Sequence, residues 1–274
     1  MPDRLSPQAG DAIEHVPVMR ADGSRDLERV AVERALEVRV NGETLAVIMR
    51  TPGADEDLAA GFLLSEGALR RSSDLERIDR VGEDLVNVVA SRGRGDAIAT
   101  LLARRRSVAV NASCGVCGRP ELESLGHDLP VITESWTVTP DVVRGLPARL
   151  GEVQPIFAET GGLHAAGLFH ADGRLAAVAE DVGRHNAVDK LIGQALRAAA
   201  LPLATRMLLV SGRVSFEILQ KAWAGGIPIV AAVSAPSSLA IEVAARANIT
   251  LAGFLRDQRF NVYTCPARIA SRSA

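Results

Sequence analysis

The C-terminal half of the chain alternates short apolar segments with amphipathic ones, and this order constrains the fold more than any other feature. The predicted strands are residues 163–170, 174–179, 206–210, 227–233 and 249–254, and the predicted helices are residues 186–199, 214–224 and 238–247. A repeated strand-helix order predicts a parallel sheet with right-handed crossovers. Strands that are apolar throughout fit burial on both faces of such a sheet. We therefore predict an α/β domain with a mainly parallel sheet.

The preceding part of the chain has a different, α+β pattern. Two alternating segments, residues 36–40 and 44–48, flank Asn41-Gly42, which is a strong signal for a β-hairpin. Further predicted elements are a helix at residues 55–71, two short strands within residues 78–90, and a helix at residues 96–105. We predict four parts along the chain: a tail at 1–12, a small α+β domain at 13–110, a loop and linker at 111–138, and the α/β domain at 139–274.

Composition argues against several classes of protein. The net charge of −2 and the 3% content of aromatic residues disfavour non-specific binding to nucleic acid and a base-stacking surface. No apolar run reaches the roughly 18 residues of a membrane span, and the N-terminal sequence lacks a targeting segment. We expect a cytoplasmic protein with neither nucleic acid nor a membrane as a partner.

Two of the three cysteines, Cys114 and Cys117, have C-x-x-C spacing. Gly115 and Gly118 favour an exposed loop over a helix or strand interior. The spacing lowers the pKa of a thiol, and nearby positive charge would favour the thiolate further. The arginines that could supply this charge are Arg104, Arg105, Arg106 and Arg119. The segment is therefore suited to sulfur chemistry or to metal binding.

Polar residues follow three of the predicted parallel strands, where sheets of this kind bind ligands. These segments are residues 211–213, 234–238 and 255–259. Helix N-termini and the guanidinium groups of Arg213, Arg256 and Arg259 suit a phosphorylated ligand such as a nucleotide. In the alternative interpretation the serines only cap helices and turns, and the arginines are solvated. The sequence does not separate these two interpretations.

A second polar group combines His164 with Asp181, Arg184 and His185 near other strand ends. These side chains could line a pocket. A histidine beside a strand is, however, more often a hydrogen-bonded core residue than a catalyst. Two polar groups at neighbouring strand ends favour a functional role only modestly.

Six motifs, taken in order, resemble the FdhD family of formate dehydrogenase accessory sulfurtransferases. They are SCGVCG (113–118), GLHAA (162–166), EDVGRHN (180–186) followed by Asp189-Lys190, SGRVSFE (211–217), SAPSSLA (234–240), and TLAGF (250–254) leading to Tyr263-Thr264. The resemblance covers almost the whole chain after the tail. Six motifs in order are far more specific than any one of them.

The resemblance implies a sulfur carrier that receives persulfide sulfur from a cysteine desulfurase. Such proteins transfer this sulfur to a bis-molybdopterin guanine dinucleotide cofactor before its insertion into formate dehydrogenase. The resemblance also implies a cytidine deaminase-like fold for the larger domain, a homodimer, and no tightly held metal. It makes Cys114 the persulfide carrier and Cys117 its neighbour in the motif. It also implies that the cofactor is bound by Phe254, Leu255, Arg256, Asp257, Gln258 and Arg259.

Rival interpretations of the cysteine pair are weaker. A zinc deaminase needs H-x-E and a downstream P-C-x-x-C, and this chain has neither. A structural zinc site needs two more ligands, and His127, His164 or Cys265 would not form a second close pair. A thioredoxin-like pair should open a helix, which Gly115 disfavours. A non-catalytic cofactor-binding chaperone stays an open alternative.

Overall fold

The computed structural model of the chain describes residues 9–106, 129–256 and 258–270. Its helices are α1 (Ala9–Ala12), α2 (Asp55–Ser65), α3 (Gly95–Arg106), α4 (Pro140–Gly151), α5 (Pro155–Thr160), α6 (Arg184–Arg197), α7 (Phe216–Ala224) and α8 (Ser238–Ala247). Its strands are β1 (Ile13–Met19), β2 (Arg25–Ala31), β3 (Arg34–Val40), β4 (Glu43–Arg50), β5 (Leu75–Arg80), β6 (Leu85–Ala90), β7 (His164–Phe169), β8 (Leu175–Asp181), β9 (Met207–Val210), β10 (Ile229–Ala232), β11 (Thr250–Arg256) and β12 (Arg259–Thr264). Within these ranges, no helix has the length and apolar character that a membrane span requires.

The N-terminal sheet has the strand order β4-β3-β6-β5. Asn41 and Gly42 join β3 to β4 with φ values of 51° and 87°, which is the left-handed pair of conformations that a tight hairpin turn requires. The predicted hairpin is therefore confirmed. The two predicted short strands are also confirmed, as the antiparallel pair β5 and β6. The parallel pairing of β3 with β6 joins the two hairpins into one sheet.

The C-terminal sheet has the strand order β12-β11-β10-β9-β7-β8. The central strands β9, β10 and β11 are parallel, as predicted, with helices α7 and α8 as the crossovers. The outer strands β12, β7 and β8 are antiparallel to their neighbours, however, so the prediction of a mainly parallel sheet is wrong for these strands. The connection from β7 to β8 covers residues 170–174, and two residues separate β11 from β12, so both connections are too short for a crossover. The fold class is mixed α/β.

Helices cover both faces of the C-terminal sheet. Side chains of α4, among them Val143, Leu146 and Leu150, pack on one face in a cluster with Leu209. Helices α6, α7 and α8 pack on the other face, in a cluster that contains Leu208. Because successive strand residues point to opposite faces, the apolar strands supply both clusters.

Helix α6 also packs closely against α2 from the N-terminal part. A Cβ atom on Gly61 would lie 1.9 Å from the carbonyl oxygen of Asp189, and one on Gly193 would lie 1.8 Å from that of Asp57. The two helix backbones therefore touch at these glycines. The cluster that buries α6 continues into Leu36 and other side chains of the N-terminal sheet. The predicted division into domains stays a prediction. One hydrophobic core contains side chains from both the predicted small domain and the predicted α/β domain.

The N-terminal segment differs from expectation in two places. Residues 13–31 form the antiparallel ribbon β1-β2, which the sequence analysis did not predict, and α1 lies within the predicted tail. The predicted helix at residues 55–71 ends early, at Ser65. There Gly67 has a φ of 79°, and the amide of Ala68 donates to the carbonyl of Leu63 at 2.9 Å. This left-handed turn reverses the chain and ends the helix.

Candidate functional site

All six strands of the C-terminal sheet have one end at the same side of the sheet. We call this side, which runs across the strand ends, the ligand-binding edge, or the edge for short. Strands β8, β9, β10 and β11 end there, whereas β7 and β12 begin there, because these two strands run antiparallel to the other four. His164 of β7 is the register partner of Asp181 in β8, and Arg256 of β11 is the partner of Arg259 in β12. The structure therefore brings both polar groups of the sequence analysis to the same edge, where α/β sheets bind ligands.

Most of the predicted cofactor-binding residues that the structure describes lie in the antiparallel strands β11 and β12, which form a hairpin. Strand β11 continues to Arg256, and β12 starts at Arg259. Phe254 has a φ of 57°, and its amide donates to the carbonyl of Ser234 at 3.1 Å, which ties the hairpin to the end of β10. The side chain of Leu255 is buried in the core, whereas Gln258 is exposed with a φ of 61°. Asp257 lies outside the described residues.

The hairpin presents cationic groups beside aromatic rings. The guanidinium of Arg256 lies 5.4 Å from the centre of the Phe254 ring, and that of Arg144 lies 5.8 Å from the centre of the Phe260 ring. An open cleft of about 520 Å³ is lined by Phe254, Arg256, Arg259, Phe260 and Asn261. Arginine donates two hydrogen bonds to phosphate in one plane, and an aromatic face can stack on a base. The cleft is therefore chemically suited to a nucleotide.

The motif at residues 180–190 divides into buried and edge-facing residues. Asp181 is fully buried, and its carboxylate lies 2.7 Å from Nζ of Lys190. The same carboxylate accepts from the amide of Thr51 at 3.2 Å and from Nδ2 of Asn186 at 2.8 Å. Lys190 also donates to the carbonyl of Thr51 at 3.0 Å. Asp181, Asn186 and Lys190 therefore hold the N-terminal part of the chain to the larger sheet.

Asp189 forms a second buried ion pair. Its carboxylate accepts two hydrogen bonds from Nζ of Lys221, at 2.8 and 2.7 Å, and one from Ser65 at 2.8 Å. Burial raises the pKa of Asp189, while the charge of Lys221 opposes that change. The lysine is thus required to compensate a carboxylate that has no access to water.

His185 faces the edge and has an acidic partner. Its Nε2 lies 2.8 Å from Oε2 of Glu217 and 3.1 Å from Oγ of Ser215. Both Glu217 and Ser215 come from the start of α7, which follows β9. This contact was not predicted, although both residues lie within the SGRVSFE motif.

His164 and Arg184 pack around Gly212 on the same edge. A Cβ atom on Gly212 would lie 3.3 Å from Nδ1 of His164 and 3.7 Å from Cδ of Arg184, so the glycine makes room for both. Burial, followed by the positive charges of Arg184 and His185, lowers the pKa of His164. The imidazole is therefore neutral at pH 7. Arg213, also predicted at this strand end, is exposed.

The two predicted catalytic cysteines, Cys114 and Cys117, lie outside the described residues. The same holds for the predicted effect of the neighbouring arginines on their thiols. Cys265 is described: it is a free, partly exposed cysteine with a φ of 46°, just after β12. Across residues 9–106, 129–256 and 258–270, no group of three or more histidine, cysteine or carboxylate side chains could hold a metal ion.

Sequence reasoning missed two residues that line the cleft and one that contacts the hairpin. Phe260 and Asn261 belong to β12, which was not predicted, and Arg144 comes from the distant helix α4, where its Nε donates to the carbonyl of Gln258 at 3.1 Å. Only the alternation of apolar and polar residues after Arg259 could have indicated β12 from the sequence. Nothing in the sequence places Arg144 beside the hairpin.

Comparison with known proteins gives consistent results. Residues 31–270 match the model of the FdhD/NarQ family. Similar curated proteins include the sulfur carrier protein FdhD of Streptomyces avermitilis, 46% identical over 90% of this chain and 91% of that protein, and that of Mycobacterium tuberculosis, 44% identical over 88% of this chain and 92% of that protein.

A solved structure agrees with these sequence relatives. It is from Desulfotalea psychrophila and is provisionally described as a formate dehydrogenase accessory protein; it has a TM-score of 0.74 and 26% identity, covering 94% of this chain and 98% of that one. The family model alone spans most of the sequence, and the relatives match over nearly their full length. The chain belongs to the FdhD/NarQ family.

Proposed function

We propose that this protein is a sulfur carrier that transfers sulfur, through a persulfide on Cys114, to a bis-molybdopterin guanine dinucleotide cofactor destined for formate dehydrogenase. The observation that carries the proposal is the arginine and aromatic cleft of the β11-β12 hairpin, in a chain that also contains a C-x-x-C pair. The names of the relatives support the sulfur-carrier role. The cofactor is the substrate of the transfer, not a resident group.

The hairpin is suited to the guanine nucleotide end of that substrate. Arg256 and Arg259 would bind the pyrophosphate, and the ring of Phe254 would stack on the base. Asp257 would accept from the amino group of guanine, which adenine lacks at that position. This assignment predicts tighter binding of GDP than of ADP.

The sulfur would arrive by persulfide exchange. The thiolate of Cys114 attacks the terminal sulfur of a persulfide on a cysteine desulfurase, forms the new S–S bond, and releases the desulfurase cysteine as a thiolate. No external oxidant is needed, because the terminal sulfur keeps its oxidation level. Cys117 would be a neighbour that assists or shares the sulfur. We propose that the carrier is a cytoplasmic homodimer with the desulfurase and formate dehydrogenase as partners.

Mass spectrometry of the intact protein tests this proposal. After incubation with a cysteine desulfurase and cysteine, the wild type should gain sulfur that cyanide removes, and the gain should map to the peptide with Cys114 and Cys117. Cys265→Ala is the matched control and should load normally, whereas Cys114→Ala should not. Full loading of a variant with both Cys114 and Cys117 replaced by alanine would refute the assignment of the carrier cysteines. If that variant still supports formate dehydrogenase activity, the carrier role is refuted in favour of a cofactor-binding chaperone.

A further inference from the structure

The nucleotide cleft occupies only one end of the ligand-binding edge. His164 lies on β7, and Phe254 lies on β11, with β9 and β10 between them. Three steps between neighbouring strands of about 4.8 Å each separate the two residues by roughly 14 Å. An extended pyrophosphate-linked dinucleotide is long enough to cover that distance. A ligand held at the hairpin by its guanine nucleotide can thus reach the segment around His164 without leaving the edge.

One residue at that second position is an arginine with an unsatisfied hydrogen-bond donor. Arg184 is partly exposed, and among the described residues its buried Nε has no hydrogen-bond partner. The nearby acidic groups are already engaged: Asp181 with Lys190, and Glu217 with His185. Glu180 accepts hydrogen bonds from the amides of Ile156 and Phe157, at 3.2 and 2.8 Å. In the part of the chain that the structure describes, no carboxylate forms an ion pair with Arg184.

The starts of two helices also lie at this position. Helix α6 begins at Arg184 and spans 14 residues, and its N-cap is Gly183, whose amide donates to the Asp181 carboxylate at 2.8 Å. Helix α7 begins near His185; the Ser215 side chain does not cap it, and Glu217 lies in its first turn. The helix dipole favours an anion at such ends. They reinforce a site that the Arg184 guanidinium and the neutral His164 ring define.

We propose that His164, Arg184 and His185 form a second subsite, which binds the anionic part of the ligand that lies beyond its guanine nucleotide. Arg184 supplies the charge, His164 fixes the position through its packing on Gly212, and His185, held in place by Glu217, lines the subsite. The subsite gives the elongated substrate a defined direction along the edge. This inference rests on the proposed function, because it requires the hairpin to hold the nucleotide end.

Two ligands separate the subsite from the nucleotide cleft. GDP contains only the nucleotide end, whereas the complete bis-molybdopterin guanine dinucleotide, prepared anaerobically, contains both ends. Arg184→Gln should leave the affinity for GDP within about twofold of the wild type and weaken binding of the complete cofactor roughly tenfold or more, the loss expected for a charge-assisted hydrogen bond. Arg256→Ala should weaken both ligands. Arg174→Gln, an exposed arginine in the β7-β8 turn, is the matched control and should weaken neither.

Histidine NMR spectra of the wild-type protein give a readout that needs no variant. The chain has five histidines. The complete cofactor, and not GDP, should move the imidazole signals of His164 and His185. His170, directly after the other end of β7, should stay unchanged under both ligands and is the internal reference. A folding defect in Arg184→Gln would therefore leave the proposal open to this test.

The possible failures are distinguishable. If GDP and the complete cofactor both bind through Arg256, but Arg184→Gln binds the cofactor normally or the His164 signal does not move, the second subsite is refuted and the nucleotide cleft stands. If the wild type binds neither ligand, the proposed function fails, and the subsite fails with it.

Discussion

Replacing Gly193 by alanine should destabilise the protein, although alanine is the better helix former. The added Cβ would lie 1.8 Å from the carbonyl oxygen of Asp57 and 2.6 Å from the amide nitrogen of Gly61, both in the backbone of α2. Helices α2 and α6 would have to separate by about 1.5 Å to restore ordinary contact distances. Overpacking of this kind costs about 3 kcal/mol at the upper end of the usual range. The helix propensity of alanine returns about 1 kcal/mol, which leaves a net loss of about 2 kcal/mol.

Gly145→Ala in α4 is the matched control. A Cβ there would meet only the Arg149 side chain, at 3.9 Å, so the variant should gain up to about 1 kcal/mol. Urea unfolding followed by circular dichroism would measure both variants, and the midpoints should move in opposite directions. A Gly193→Ala protein at least as stable as the wild type would refute the close helix contact. An equal loss in Gly145→Ala would instead point to a general effect of removing glycine.

Three further outcomes are expected. Arg256→Ala should lose roughly 1.5–3 kcal/mol of GDP binding in calorimetric titrations, while Arg174→Ala binds normally; equal affinity of the wild type for GDP and ADP would contradict the guanine assignment. Lys221→Met should cost roughly 3–5 kcal/mol of stability, because it leaves the Asp189 carboxylate buried without its cation, and an unchanged urea midpoint would argue against that pair. Burial and neighbouring positive charges lower the pKa of His164, so on acidification the histidine is protonated in the unfolded chain before it is protonated in the folded one. The free energy of unfolding should therefore be unaffected by this group above about pH 6.5 and decrease as the pH falls from there to the lowered pKa. His164→Gln should reduce that decrease in a pH series of urea midpoints.

Local patterns were enough for the elements that depend on neighbouring residues. The Asn41-Gly42 turn has a strong conformational preference, so the hairpin of β3 and β4 was predictable. The strands β9, β10 and β11 were predictable because they are apolar along their whole length and alternate with helices. The order of six motifs was also a property of the sequence, and it led to the family that the comparisons confirm.

The division of the motif at residues 180–190 was decided by tertiary structure alone. In the sequence, Asp181, Arg184 and His185 are equally plausible pocket residues. Only the packing of α6 against α2 and Thr51 buries Asp181 and leaves Arg184 at the edge. Burial depends on contacts with residues more than 100 positions away, so no local pattern reports it.

Tertiary structure also decided the antiparallel outer strands of the larger sheet and the ribbon β1-β2. A strand such as β12 is amphipathic and short, and its direction is set by its pairing with β11. Arg144 likewise reaches the hairpin from α4, where its Nε donates to the carbonyl of Gln258. The sequence by itself determined the central strands, the family and the residue types of the edge. Tertiary structure decided which of those residues face the ligand, because exposure is a property of the packed chain.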